Sequence, residues 1–213
     1  MAHLDNTIFG KLKGKVGKVV YYTVNGVTYI RSQPEKIKNP RTPLQEQQRN
    51  RLRDAMIFYK TIHHTPLKTI WQTATYGQNI TSANLFIKMN IAAFFGDGKV
   101  TDYSKLHFSC GNLPQSDRFQ ARYFPETEWV EVRWQTKGCM HNRRYEDRLM
   151  AVVMYEDDEF EIIADSLTAP SRREEVARLP VQTRHGSPRY VYCFFAAPDG
   201  RSYSNDICCS IDN

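Results

Sequence analysis

Ten cations mark the first quarter of the chain as the place where chemistry is most concentrated: Lys11, Lys13, Lys15, Lys18, Arg31, Lys36, Lys38, Arg41, Arg49 and Arg53. Residues 1–60 hold 12 Lys and Arg against 4 Asp and Glu, a balance of +8. The other 17 basic and 19 acidic residues sum to −2, which leaves the whole chain at +6. Charge placed this unevenly attracts a polyanion or an acidic protein surface. Tyr21, Tyr22 and Tyr29 interleave with the cations and, where exposed, can stack on bases while Lys and Arg meet phosphates. The competing expectation is a docking arm. In it the same cations keep a hairpin soluble, guard its edges against stray pairing and meet acidic groups on a neighbouring subunit.

Other reactive residues lack the spacing their chemistry needs. His63 and His64 are adjacent, so on a helix they point about 100° apart and cannot share a metal as an i, i+4 pair does. Cys139 and His141 fall in one loop, but a nucleophilic pair also needs a cleft and an orienting group. The acidic run "YEDDEFE" lacks the spaced ligands and the Gly of a calcium loop and reads as a solvated turn. "GKLKGKVGK" is not a G-x-x-x-x-G-K-[ST] phosphate loop, and no G-x-S-x-G occurs. The five cysteines, Cys110, Cys139, Cys193, Cys208 and Cys209, are odd in number and contain no C-x2-C spacing. They suggest buried strand residues in a reducing compartment rather than a zinc site or a disulfide framework, and a metal held by Cys208, Cys209 and His185 is not expected. Catalytic residues, cofactor and metal are therefore all expected to be absent, and the chain is read as a non-enzyme.

The elements that must carry the cations are sharply punctuated. Asn25-Gly26 between runs rich in Val, Tyr and Thr is a strong hairpin signal. A two-residue loop sets Val24 opposite Val27, Thr23 opposite Thr28, Tyr22 opposite Tyr29 and Tyr21 opposite Ile30. Val20, Tyr22, Val24, Val27 and Tyr29 then share one face with Arg31 at its end, and Val19, Tyr21, Thr23, Thr28 and Ile30 share the other. Both faces are largely apolar, and a lone two-stranded ribbon is marginal in water. The hairpin is expected to be covered by its own chain or by another molecule, with Val20, Tyr21, Tyr22, Tyr29 and Ile30 as the docking residues.

Pro34 and Pro40 extend the connector that follows. Thr42, Pro43 and Gln45 predict a capped helix running to about Ile62, with Leu44, Leu52, Ala55, Met56 and Tyr59 on one stripe and Arg49 and Arg53 off it. Thr65 and Pro66 start a second helix, and Thr81 or Ser82 a third that ends at Gly96-Asp97-Gly98. From Leu106 the period turns strand-like. Strands are predicted at Leu106–Cys110, Phe119–Phe124, Trp129–Trp134, Leu149–Tyr155, Phe160–Asp165, Glu174–Leu179, Tyr190–Ala196 and Tyr203–Ile211. "WVEVRW" puts Trp129, Glu131 and Arg133 on one side, while "LMAVVMY" and "YVYCFFA" have the continuous apolar character of central strands.

The fold class expected is α+β: a basic hairpin arm and connector over 1–41, a three-helix unit over 42–98, and an immunoglobulin/fibronectin III-like antiparallel β-sandwich over 104–213. No stretch approaches the ~20 apolar residues of a membrane span and the N-terminus lacks signal-peptide character, so a cytoplasmic protein without a membrane partner is expected. The motifs "GKVGKVVYY", "KNPRTPLQEQQRNR", "SANLFIKMN", "FSCGNLP" and "RYVYCFFAAPDGRSYSND" together resemble a bacterial domain-of-unknown-function family whose members are about 210 residues long. The resemblance covers essentially the whole chain, with "NPRTPxQ" its most specific part. It implies an architecture and no catalytic residue. The function expected is non-catalytic assembly or interaction, the basic arm docking on a partner protein or on a neighbouring subunit of a homo-oligomer. Nucleic-acid binding by the basic N-terminal segment is the alternative. Arm, helix and sandwich is also a common plan among self-assembling phage-like proteins, an analogy at the level of fold.

Overall fold

A computed structural model of the chain describes residues 2–4, 13–24, 26–35, 39–136, 145–163 and 169–212. Local chemistry builds its first sheet. Strands β3 (Val19–Val24) and β4 (Val27–Ser32) form the hairpin in the expected register, with Tyr22 opposite Tyr29 and Thr23 opposite Thr28. Gly26 sits at φ 84°, a conformation that costs glycine nothing. The ribbon is not left two-stranded. β1 (Ala2–Leu4) pairs with β4, and β2 (Gly14–Val16) folds onto β3 through a tight turn at Gly17, giving the order β1-β4-β3-β2.

Three helices follow, α1 (Pro43–His63), α2 (Leu67–Ala74) and α3 (Ser82–Asn90). The Thr42 hydroxyl accepts from Gln45 N and the Thr81 hydroxyl from Asn84 N, so the first and third predicted N-caps are in place, whereas α2 is capped at Pro66 rather than Thr65 and begins one residue later than predicted. α3 ends earlier than predicted, passing into a 3-10 turn at Ile91–Ala93. The α1 stripe also differs. Leu44 and Leu52 are exposed, while Ala55 and Tyr59 are buried as predicted and are joined by Asp54 and Ile62. That face is set by the loop after α3. Arg51 donates to the carbonyls of Phe94 and Ile91 at 2.7 and 3.0 Å, and the Asp54 carboxylate accepts from Gly98 N at 2.9 Å. At Gly96 a Cβ would lie 2.9 Å from that of Asn50, so only glycine lets this loop reach the helix.

The strand-rich half is one mixed sheet bent on itself. Its strands are β5 (Asp117–Phe124), β6 (Trp129–Gln135), β7 (Arg148–Tyr155), β8 (Phe160–Ile163), β9 (Val176–Pro180), β10 (Pro188–Ala196) and β11 (Ile207–Asp212), in the order β8-β7-β10-β11-β5-β6-β9. β11 joins the two halves. Ile207 to Ser210 pair antiparallel with β10, whereas Ile211 and Asp212 pair parallel with β5. The expected α+β class holds, but a wholly antiparallel immunoglobulin-like order does not describe this sheet, because one strand serves both halves and one pairing is parallel.

Alternation along β7 and β10 explains their continuous apolar runs. Leu149, Ala151, Val153 and Tyr155, with Val191, Cys193 and Phe195, face β5, β6 and β9 and close a core with Val130, Val132 and Trp134. Val152, Met154, Tyr192 and Phe194 face the helices and join Trp71, Phe86 and Phe108 in a second core. Both faces of these strands are therefore dry. Cys208 and Cys209, adjacent on β11, point to these opposite sides.

One predicted strand is absent. Leu106–Cys110 is buried without joining a ladder, because side chains satisfy its backbone. Asn90 Oδ1 accepts from His107 N at 2.6 Å, Asp206 Oδ2 from Phe108 N at 2.8 Å, and Asn205 Oδ1 from Gly111 N at 3.1 Å. Likewise Glu174 belongs to a capped 3-10 turn (Arg172–Glu174), so β9 begins two residues later than predicted.

Candidate functional site

The N-terminal sheet presents two half-covered faces. Val20, Tyr21, Tyr22, Tyr29 and Ile30 are all intermediate in exposure, the Tyr22 and Tyr29 rings stack at 5.4 Å, and the Thr23 and Thr28 hydroxyls meet at 3.1 Å. Register sets Lys15 opposite Val20 and Val20 opposite Arg31, so a cationic row closes one end of the tyrosine face. Among the described residues, no side chain before Ala55 belongs to either hydrophobic core. The described part of the arm therefore lies apart from both cores.

The predicted cations fall into separate groups. Lys13, Lys15, Lys18 and Arg31 are exposed on the arm, and Arg41 is exposed in the connector at φ 49°. Lys18 pairs with Glu35 at 2.6 Å, both solvated, a contact worth little. Arg49 donates to Asn39 Oδ1, which fastens the connector to α1, and Arg53 lies 3.6 Å from Asp54. Lys11, Lys36 and Lys38 lie outside the described residues. Leu44, at 78% exposure, and Leu52 are exposed on α1, as are Arg49 and Arg53.

The other sequence candidates resolve into structural roles. His63 and His64 close the C-terminus of α1 with their rings 6.0 Å apart and perpendicular. The acidic run forms the β7–β8 turn. Asp157 Oδ2 is 2.8 Å from His185 Nδ1, Asp158 accepts from the Tyr103 hydroxyl, and Glu161 accepts from the Tyr155 hydroxyl at 2.6 Å and from Gln182 Nε2 at 2.8 Å. Burial pushes the Cys209 thiol up to about 11 and the Cys208 thiol up to about 12, far from nucleophilic thiolates. Burial also raises Cys110 and Cys193. Cys139 and His141 lie outside the described residues. Among the described residues no three His, Cys, Asp or Glu side chains gather within reach of one metal ion, and no helix is long and apolar enough to cross a membrane.

Three arrangements escaped sequence reasoning. The first is a buried ion pair. Arg172 donates to Asp147 Oδ2 at 3.2 Å, to Ser116 Oγ at 3.0 Å and to the Pro114 carbonyl at 2.8 Å, with its guanidinium 3.8 Å from the centre of the Phe195 ring.

The second is the His107–Asp206 pair, with Nδ1 and Oδ1 3.0 Å apart. The bond from Asp206 raises the His107 pKa above its ordinary value, against the opposing pull of burial. A folded-state pKa above the unfolded one means that the pair's stabilisation is complete below about pH 6.5 and fades as pH rises through the folded value. The melting-temperature gap between the native protein and His107→Asn should therefore narrow as pH is raised from about 6 to 8.5. A gap independent of pH would contradict the assignment.

The third is the outer face of β5, β6 and β9, ordered by register into three rows: Phe124–Trp129–Pro180, Arg122–Glu131–Arg178 and Gln120–Arg133–Val176. Sequence periodicity supplied only the β6 members of these rows.

The fold and its surfaces define an α+β protein in which a mixed sheet, backed by three helices on one side, is accompanied by a separate four-stranded N-terminal sheet. The chain belongs to the family described as "Family of unknown function (DUF6266)", whose model matches residues 10–210. Neither the curated proteins nor the solved structures give a match.

Proposed function

We propose that this is a non-catalytic assembly protein whose N-terminal sheet docks on a second copy of the chain. The observation that carries the reading is the arm's separation from both cores. Val, Tyr and Ile lie on both faces of its sheet, a surface that packing against a partner stabilises, and no described side chain of the arm enters either core. Charge favours a second copy as the partner, since residues 1–60 carry +8 and the remainder −2. We also read the facing sheet halves as a sandwich of the immunoglobulin/fibronectin III kind in layering, on the strength of the apolar core they share.

A carboxylate placed in a packed apolar interface must be desolvated without a partner. Tyr22→Asp together with Tyr29→Asp should therefore dissociate the oligomer seen by light scattering, while far-ultraviolet circular dichroism stays that of a folded chain. Particle mass unchanged by the double substitution would sink the reading. A second reading, nucleic-acid binding by the arm, is favoured by the exposure of Lys13, Lys15, Arg31 and Arg41. It predicts retention of DNA or RNA that weakens steeply with salt.

A further inference from the structure

The outer face of β5, β6 and β9 is built unlike an ordinary solvated sheet surface. Its first row sets two large aromatic side chains, Phe124 and Trp129, directly opposite each other, at 37% and 38% exposure. Its second row sets Arg122, Glu131 and Arg178 in register. The third row adds Arg133. Glu131 is occupied within the face, with Arg133 Nε at 2.8 Å and Arg178 Nε at 3.3 Å, and these guanidinium groups hold its carboxyl below the usual range. Arg122 lies over the Phe124 ring at 5.3 Å. Three guanidinium groups thus stand against one carboxylate, leaving the face positive although the chain beyond residue 60 is net negative.

The face is also grooved. β5 and β11 pair only through Ile211 and Asp212, and a groove of about 870 Å³ opens along their seam, bordered by Gln120, Arg122 and Arg133. A second groove of about 460 Å³, bordered by Trp129 and Arg178, shares Phe124 and Glu131 with the first. Rows two residues apart along a strand are separated by about 7 Å. That step suits successive nucleotides of an extended strand. β6 is paired on both sides, so at the centre of this face recognition comes from side chains, and β9 is the edge strand.

We propose that this face binds a single-stranded nucleic acid, its bases stacking on Trp129 and Phe124 and its phosphates meeting Arg122, Arg133 and Arg178. Exposed aromatic platforms beside a positive groove are the physical requirements of strand binding without sequence readout. The site is independent of the arm and stands or falls apart from the docking reading above. The test is fluorescence anisotropy of a labelled oligothymidylate of about ten nucleotides with the full-length protein.

Binding should weaken steeply as salt rises from about 50 to 200 mM. Trp129→Ala should weaken it about 5- to 150-fold. The pair Arg122→Gln and Arg178→Gln should lower the log–log salt slope by about 1.4. These side chains are exposed, and unchanged melting temperatures will show that the variants fold. Lys13→Gln, Lys15→Gln and Lys18→Gln together should leave the affinity within about two-fold if the arm takes no part. Three results would overturn the inference: no binding at low salt, affinity lost through the arm substitutions alone, or face substitutions that change particle mass and leave the oligonucleotide's affinity intact.

Discussion

Arg172→Met is expected to destabilise the protein by about 3–5 kcal/mol in urea unfolding, among the largest effects of any single substitution outside the apolar cores. Arg172 is fully buried, and its guanidinium fastens four pieces of chain: the Pro114–Ser116 loop, Asp147 before β7, the Phe195 ring on β10 and its own 3-10 turn. Methionine fills much of the space and withdraws the guanidinium from the carboxylate of Asp147, which is only 1% exposed. The cost then lies chiefly in a buried ion pair broken from one side, not in lost volume. The distinction is measurable, because adding Asp147→Leu to Arg172→Met should recover a large part of the loss. A double variant no more stable than the single one would show that geometry, rather than charge, dominates.

Phe108→Ala should cost a similar ~3–5 kcal/mol. Phe108 is fully buried in the segment that runs beside the sheet without joining it, and its ring lies 6.0 Å from Phe58, 5.4 Å from Phe160 and 4.8 Å from Tyr192. It therefore ties α1, β8 and β10 to one point of the core. Alanine there removes the hub and leaves a cavity, since the backbone is pinned by Asp206 and Asn90 and cannot collapse inward. Thermal unfolding will check this, and a loss below about 1 kcal/mol would show that the segment relaxes after all.

What the sequence made legible was local. The hairpin register was readable because a two-residue loop fixes it, and Thr42 and Thr81 were readable as caps because each hydroxyl serves an amide three residues on. What escaped depended on distant residues. Leu106–Cys110 has strand-like composition, but the amides of His107 and Phe108 are taken by Asn90 and Asp206, and that of the following Gly111 by Asn205. Leu44 and Leu52 sit at core-like spacing on α1, yet the loop around Gly96 claims a different face of that helix. Arg172 and Arg173 are neighbours of one type with opposite fates, the first buried and the second solvated, and nothing local separates them. The aromatic and arginine rows needed three strands brought into register. Only Trp129, Glu131 and Arg133 could be seen from periodicity, because the register of β9 with β6 is set by tertiary pairing.

The arm's separation from both cores bears the weight of the functional reading, and the most direct measurement is the solution mass of the intact chain beside a chain lacking residues 1–38. Both hydrophobic cores lie beyond that segment, so the shortened chain retains what it needs to fold. Light scattering at micromolar concentration should give a multiple of 24.8 kDa for the intact protein and a folded monomer for the shortened one. An intact chain that is itself monomeric, or a shortened chain that keeps the intact oligomer's stoichiometry, would contradict the account.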